Sequence, residues 1–162
     1  MDRYEFLKQF HDISKTEYDL LNSKLKTKAF KKGELITVPR QVQKELYFVK
    51  SGVQLSYFES ENKTHVSCLT DNEMDYLTFD MLQELFEQSP AIERLFRKIT
   101  EATLAGMIDR HVELHSMSIE ERFKTFCNRS PHLLQIVPHK YLASYLAIDA
   151  SNFSKLFNRV KF

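Results

Sequence analysis

VPHKYLASYLAIDASNFSKLFNRVK, residues 137–161, reads as two short helices joined by a tight turn. In the first, Tyr141, Leu142, Tyr145 and Leu146 recur at helical spacing. Pro138 occupies a first-turn position where its missing N–H costs nothing, and Ala143 is small enough for another helix to approach. Ala147-Ile148-Asp149 makes the turn, with Asp149 placed to cap the second helix. That turn requires a positive φ at Ala147, where glycine would be the easier residue. The second helix, 150–161, turns Phe153, Leu156, Phe157 and Val160 inward. It turns Ser151, Asn152, Ser154, Lys155, Asn158 and Arg159 outward, and no carboxylate follows Asp149. Phosphates attract cations and base edges pair with short hydrogen-bonding side chains, so this surface suits a nucleic-acid groove. The expectation is a helix-turn-helix whose second helix enters the major groove of double-stranded DNA. Ser151, Asn152 and Lys155 would face bases; His139, Lys140, Asn158 and Arg159 would face phosphates. The alternative is a solvated polar face on a structural hairpin.

Charge supports the first reading by its distribution rather than its sum. The 162 residues carry a net charge of +1, but from Ser116 onward there are seven Lys/Arg against three Asp/Glu, while the preceding part has 16 against 19. A basic C-terminal module on a mildly acidic body is the asymmetry expected of a small DNA-contacting unit. A hydrophobic content of 43% with 28% charged residues is ordinary for a globular protein. No apolar run approaches the ~20 residues of a membrane span, and MDRYEFLKQF lacks the apolar core of a signal peptide. Cys68 and Cys127 lie far apart without metal-ligand spacing, which points to a reducing cytoplasm.

Upstream, residues 2–11 suggest a short helix burying Tyr4, Phe6, Leu7 and Phe10 in part. Ser14-Lys15-Thr16-Glu17 is a capping box that opens a helix carrying Tyr18, Leu20, Leu21 and Leu25. From Thr27 to Leu69 the period becomes strand-like, most clearly at Val53-Gln54-Leu55-Ser56-Tyr57. Lys32-Gly33, Ser51-Gly52 and Glu61-Asn62-Lys63 supply turns, and three such breaks imply an antiparallel sheet or roll.

FKKGELI (30–36), ELYFVKSGVQLSYF (45–58) and the C-terminal helix pair together resemble the Crp/Fnr family of bacterial transcription regulators, from about Phe30 to Val160. The resemblance implies an α+β protein. Its parts would be an antiparallel β-roll of the cyclic-nucleotide-binding type, here truncated, a long dimerisation helix, and a C-terminal helix-turn-helix of winged-helix type. It implies a homodimer on DNA, with RNA polymerase as a further partner; neither GxSxG nor a P-loop occurs, so no catalysis is expected. Gly33 and Gly52 match the roll glycines. Between Leu69 and Leu77, where the family keeps further strands and its phosphate-binding Gly-Glu and Arg-Ser/Thr, only Thr70-Asp71-Asn72-Glu73-Met74-Asp75-Tyr76 intervenes. No arginine occurs between Arg40 and Arg94, so a cyclic-nucleotide phosphate has no bidentate partner, and neither cyclic nucleotide nor any cofactor is expected.

Asp80 to Phe86 is an amphipathic helix. Ser89-Pro90 starts another that runs unbroken to about His115. Ile92, Leu95, Ile99, Ala102 and Gly106 form one stripe; Phe96, Thr103 and Met107 a second; Leu104, Ile108 and Val112 a third. So much apolar circumference between Ala102 and Ile108 calls for a partner helix, and Ile92, Ile99, Ala102 and Gly106 are the expected dimer contacts. Ser118-Ile119-Glu120-Glu121 is a second capping box, followed by Phe123, Phe126 and Cys127 inward. Ser130-Pro131 restarts a short helix through Leu133, Leu134 and Ile136. The expected divisions are 1–89, 90–115 and 116–162. His111 and His115 sit four apart, but HVELH is no zincin motif and shows no third ligand, so an exposed or interface pair is expected. His65 and Cys68 fall on opposite strand faces, and two distant cysteines cannot hold an iron–sulfur cluster. A dimerisation or protein-interaction protein without DNA binding is the competing reading.

Overall fold

The computed structural model describes residues 2–38, 40–59 and 63–159. Val160, Lys161 and the Glu61-Asn62 part of the third turn lie outside them. In chain order the elements are α1 (Arg3–Lys8), α2 (Lys15–Lys24), β1 (Lys26–Phe30), β2 (Leu35–Thr37), β3 (Glu45–Ser51), β4 (Gln54–Glu59), β5 (Lys63–Cys68), β6 (Asn72–Thr78), α3 (Phe79–Gln88), α4 (Pro90–Ser116), α5 (Ile119–Arg129), α6 (Leu133–Ile136), α7 (His139–Tyr145) and α8 (Ala150–Arg159). The chain is mixed α+β. No helix among the described residues is long and apolar enough to cross a membrane.

The strands form two antiparallel three-stranded sheets, ordered β1-β6-β3 and β2-β5-β4. The chain passes between sheets at the Lys32-Gly33 and Ser51-Gly52 turns, so these are corners of a roll rather than hairpins. Gly52 has φ 101°, and a Cβ there would come within 2.6 Å of the Asp71 carbonyl oxygen. Only glycine meets both conditions. The stretch expected to be a mere connector, Thr70 to Tyr76, is the departure from expectation. Most of it is β6, the central strand of the first sheet, with Asn72, Met74, Asp75 and Leu77 buried. Met74 packs between the sheets with Phe30 and Cys68, while Leu77 packs on the other face with the helices. A strand covered on both faces loses the polar alternation that marks half-buried strands. The residues just before it tie the corners together. Asp71 accepts from the Lys32 N–H (2.9 Å) and pairs with Lys31 (2.9 Å), and Thr70 Oγ1 accepts from the Val53 N–H (2.9 Å).

Both capping boxes, at Ser14–Glu17 and Ser118–Glu121, are formed. Leu7, Ile13 and Leu21 of the N-terminal segment join Leu77, Leu85, Ile92 and Leu95 in one core. Arg3 of α1 forms an ion pair with Asp75 of β6, which also accepts from Thr27 Oγ1 at 2.6 Å.

The chain divides into two compact units, Met1–Thr100 and Glu101–Phe162, with the division inside α4. The reason is packing: Ile92, Leu95 and Phe96 belong to the core of the first unit. Ile92 is fully buried and Ile99 packs partly against that core, so Ile92 is not free to meet a second chain. Ala102 and Gly106 continue that face, and a side chain at Gly106 would touch nothing within 4 Å. The apolar residues that α4 leaves exposed are Leu104 (57%), Met107 (66%), Ile108 (55%) and Val112 (53%). At about 100° per residue, Leu104 lies some 160° around the helix from Gly106. In the second unit, among the described residues, no strand follows α4. Its helical core is Phe123, Phe126, Leu134, Leu142, Leu146, Ile148, Phe153 and Leu156.

Candidate nucleic-acid interface

The link between α7 and α8 is a C-terminal cap of defined geometry. Ala147 has φ 51°, its N–H reaches the Ser144 carbonyl (3.1 Å), and the Ile148 N–H reaches the Ala143 carbonyl (2.9 Å). These two bonds close a Schellman motif and satisfy carbonyls that the helix end would orphan. Ile148 is buried just beyond it. Alanine in the left-handed region costs roughly 1–2 kcal/mol, a strain held here by the buried Ile148 and the helices around it.

Asp149 then caps α8. Its Oδ1 accepts from the backbone N–H of Asn152 (2.9 Å) and Ser151 (3.0 Å) and from Ser151 Oγ (2.9 Å), and its Oδ2 accepts from the Asn152 amide. The Asn152 N–H, the Ser151 hydroxyl and the other donors hold the Asp149 carboxyl below the usual carboxylate range. The same contacts engage the Ser151 hydroxyl and the Asn152 side-chain amide, both expected to face bases, with this carboxylate.

Burial of Phe153, Leu156 and part of Phe157 fixes the orientation of α8. Phe153 meets Phe123 edge-on at 5.4 Å. His139 packs its ring on Phe157 (4.4 Å) and Phe153 (5.2 Å), a hairpin contact added to its expected place beside phosphate. Opposite that apolar side stand Ser151, Ser154, Lys155 and Asn158, all exposed. Lys155 has no hydrogen bond or ion pair among the described residues. Ser154 Oγ donates to the Ala150 carbonyl (3.0 Å), leaving its lone pairs outward. Asn152 and Arg159 sit on a flank, lining a hollow of about 260 Å³ with Ile119, Glu120, Leu156 and the edge of Lys155. There Arg159 pairs with Glu120, which Lys124 also holds at 2.8 Å. Lys124 and Arg159 keep the Glu120 carboxyl below its ordinary range. Arg159 therefore shares a carboxylate partner with Lys124 within the unit. Lys140 lies over the Tyr141 ring at 4.8 Å, with its charge exposed.

Sequence reasoning missed two arginines that hold this hairpin. Arg122 is 9% exposed and donates to the carbonyls of Leu114 (2.8 Å) and Ala147 (3.2 Å), tying the last turns of α4 to the turn before α8. Arg110 stacks on the Tyr145 ring at 4.2 Å, donates to the Tyr145 carbonyl and pairs with Glu113 at 2.9 Å. Tyr145 is half exposed beneath that guanidinium. The signal for Arg122 was its place one position before Phe123 on an inward face.

No protein-family model matches the sequence, and no curated protein matches it. Solved structures match it in fold. FixK2 from Bradyrhizobium japonicum gives a TM-score of 0.71 at 14% identity, covering 83% of this chain and 83% of that one. A protein from Eubacterium rectale, described as a transcriptional regulator of the crp/fnr family, gives 0.69 at 13% identity over 97% and 87%. A mutant of CooA from Carboxydothermus hydrogenoformans gives 0.66 at 13% identity over 97% and 83%. At these identities the likeness is one of fold.

Proposed function

We propose that the chain is a DNA-binding transcription regulator of the Crp/Fnr type, active in the cytoplasm as a homodimer and independent of cyclic nucleotide. The observation that carries this reading is α8 itself. A capped, well-packed helix presents Ser151, Ser154, Lys155 and Asn158 with no carboxylate among them. A helix held that way has the shape and charge to enter a major groove, with α7 crossing the backbone. The fold shared with transcription regulators supports it. Lys155 is the principal base-reading candidate, and Lys140 and Asn158 are the phosphate candidates.

The homodimer reading is supported by the exposed stripe at Leu104, Ile108 and Val112, flanked by Met107. Leu104, Ile108 and Val112 recur every four residues, with Met107 three after Leu104, so they share one side of the helix, which another apolar helix would cover well. Leu104 and Ile108 take the place of Ile92, Ile99, Ala102 and Gly106 as the central contacts. Independence from cyclic nucleotide is supported by a roll interior filled by Phe30, Cys68, Met74, Ile36 and Tyr47, and by the absence of arginine between Arg40 and Arg94.

Selection from random duplexes followed by gel shift tests the DNA reading. Lys155→Ala should lose about 1–3 kcal/mol of discrimination at one position of an inverted-repeat site. Arg159→Ala, with its charge already paired, should change binding less than Lys140→Ala does. Equal binding of selected DNA by wild type and Lys155→Ala, or none by either, overturns the assignment. The engagement of Ser151 and Asn152 by Asp149 favours the second reading, a dimerisation protein that keeps the architecture without reading DNA. Failure to enrich any duplex would establish it.

A further inference from the structure

We propose that His111 and His115 from two copies of the chain form a divalent metal site of the zinc class across the α4 seam. The proposal rests on the homodimer reading and extends it. Leu104, Ile108, His111 and His115 follow one another at spacings of four, three and four, the alternation of core positions in a heptad. Two aliphatic layers of the seam are thus followed by two layers of imidazole. Both histidines are exposed in the single chain, and their ring centroids lie 4.2 Å apart.

The hydrogen bonding of His115 prepares it as a ligand. Its Nδ1 lies 2.8 Å from the His111 carbonyl oxygen. A carbonyl can only accept, so Nδ1 carries the proton and Nε2 keeps its lone pair. Metal-bound histidines commonly have this arrangement, one ring nitrogen donating to a carbonyl while the other binds the ion. Among the described residues, one chain gathers no group of three His, Cys, Asp or Glu able to hold a metal. A second copy supplies what is missing. In a parallel pair about a two-fold axis, His111 faces the partner subunit's His111, and His115 faces the partner subunit's His115 one turn on. Four imidazoles within one helical turn suit tetrahedral zinc. Without an ion, closing the seam would strip water from imidazole nitrogens that lack a partner there, an unfavourable step.

The test uses the full chain, stripped with a chelator, in sedimentation equilibrium and equilibrium dialysis with Zn²⁺ alone. One zinc per two chains should be taken up, and the dimer dissociation constant should fall at least about tenfold. His111→Gln and His115→Gln, exposed substitutions that leave the fold intact, should each abolish the zinc effect and keep the metal-free dimer. Leu104→Glu should abolish both. A dimer that binds no zinc overturns the metal site and leaves the seam standing. A chain that is monomeric with and without zinc overturns both. One zinc per chain, or uptake that survives His111→Gln and His115→Gln, overturns the shared site.

Discussion

The two halves of α4 carry similar side chains at similar spacings and meet different fates. In the first, Ile92 and Leu95 are fully buried among Leu21, Leu77 and Leu85. In the second, Leu104, Ile108 and Val112 are each more than half exposed. Neither charge nor propensity separates them. The first half lies in a core with a sheet and three helices that the chain itself brings there. The second half has one side occupied by Arg110 and Glu113, which engage the hairpin, and leaves its aliphatic side bare. Apolar periodicity therefore reports that a face gains from burial, while the identity of what covers it comes from topology.

The largest expected effect tests the buried half. Leu95→Ala should cost about 2–5 kcal/mol in chemical denaturation, the transfer loss plus the void it leaves. A cost under about 1 kcal/mol would mean that the first half is no more essential to the fold than the second. Next comes the occupied side of the second half. Arg122→Met fills similar space but leaves the Leu114 and Ala147 carbonyls without their guanidinium, and should cost about 1–3 kcal/mol. The DNA affinity of this variant should fall as well, because the turn before α8 loses an anchor. An unchanged melting curve would show that the Schellman turn holds itself.

The smallest effect on the fold, and the sharpest on assembly, belongs to the bare side. Ile108→Glu should leave monomer stability within about 0.5 kcal/mol and convert the dimer to monomer in sedimentation. Gly106→Glu, on the far side of the helix, should do neither. If Gly106→Glu dissociates the dimer and Ile108→Glu does not, the seam lies on the other face and the comparison between the halves is reversed.

Legibility in the sequence followed the number of exposed faces an element has. α8 has one buried side and one wet side, so Phe153, Leu156 and the polar residues between them announced both. β6 has two buried faces, and its acidic Asp75 is satisfied by Arg3 and Thr27 from elements far away in sequence. It therefore read as a polar connector, although Tyr76 and Thr78 favour strands. The cap at Asp149 was visible, but its grip on the side chains of Ser151 and Asn152 was not. That grip depends on rotamers, and so does the pairing of Arg159 with Glu120 across 39 residues.

By itself the sequence determined the helices with their caps, the positive-φ turn at Ala147, the glycine corners and the inward side of α8. Each of these depends on interactions within a few residues, whose energetics a short stretch already contains. Only the tertiary structure decided that Asn72–Thr78 is the central strand of a sheet, that Ile92 belongs to a core rather than a seam, and that Lys155, not Asn152, is the uncommitted donor at the front of α8. Those outcomes depend on which distant groups arrive to cover a face or accept a proton, and local periodicity carries no record of that.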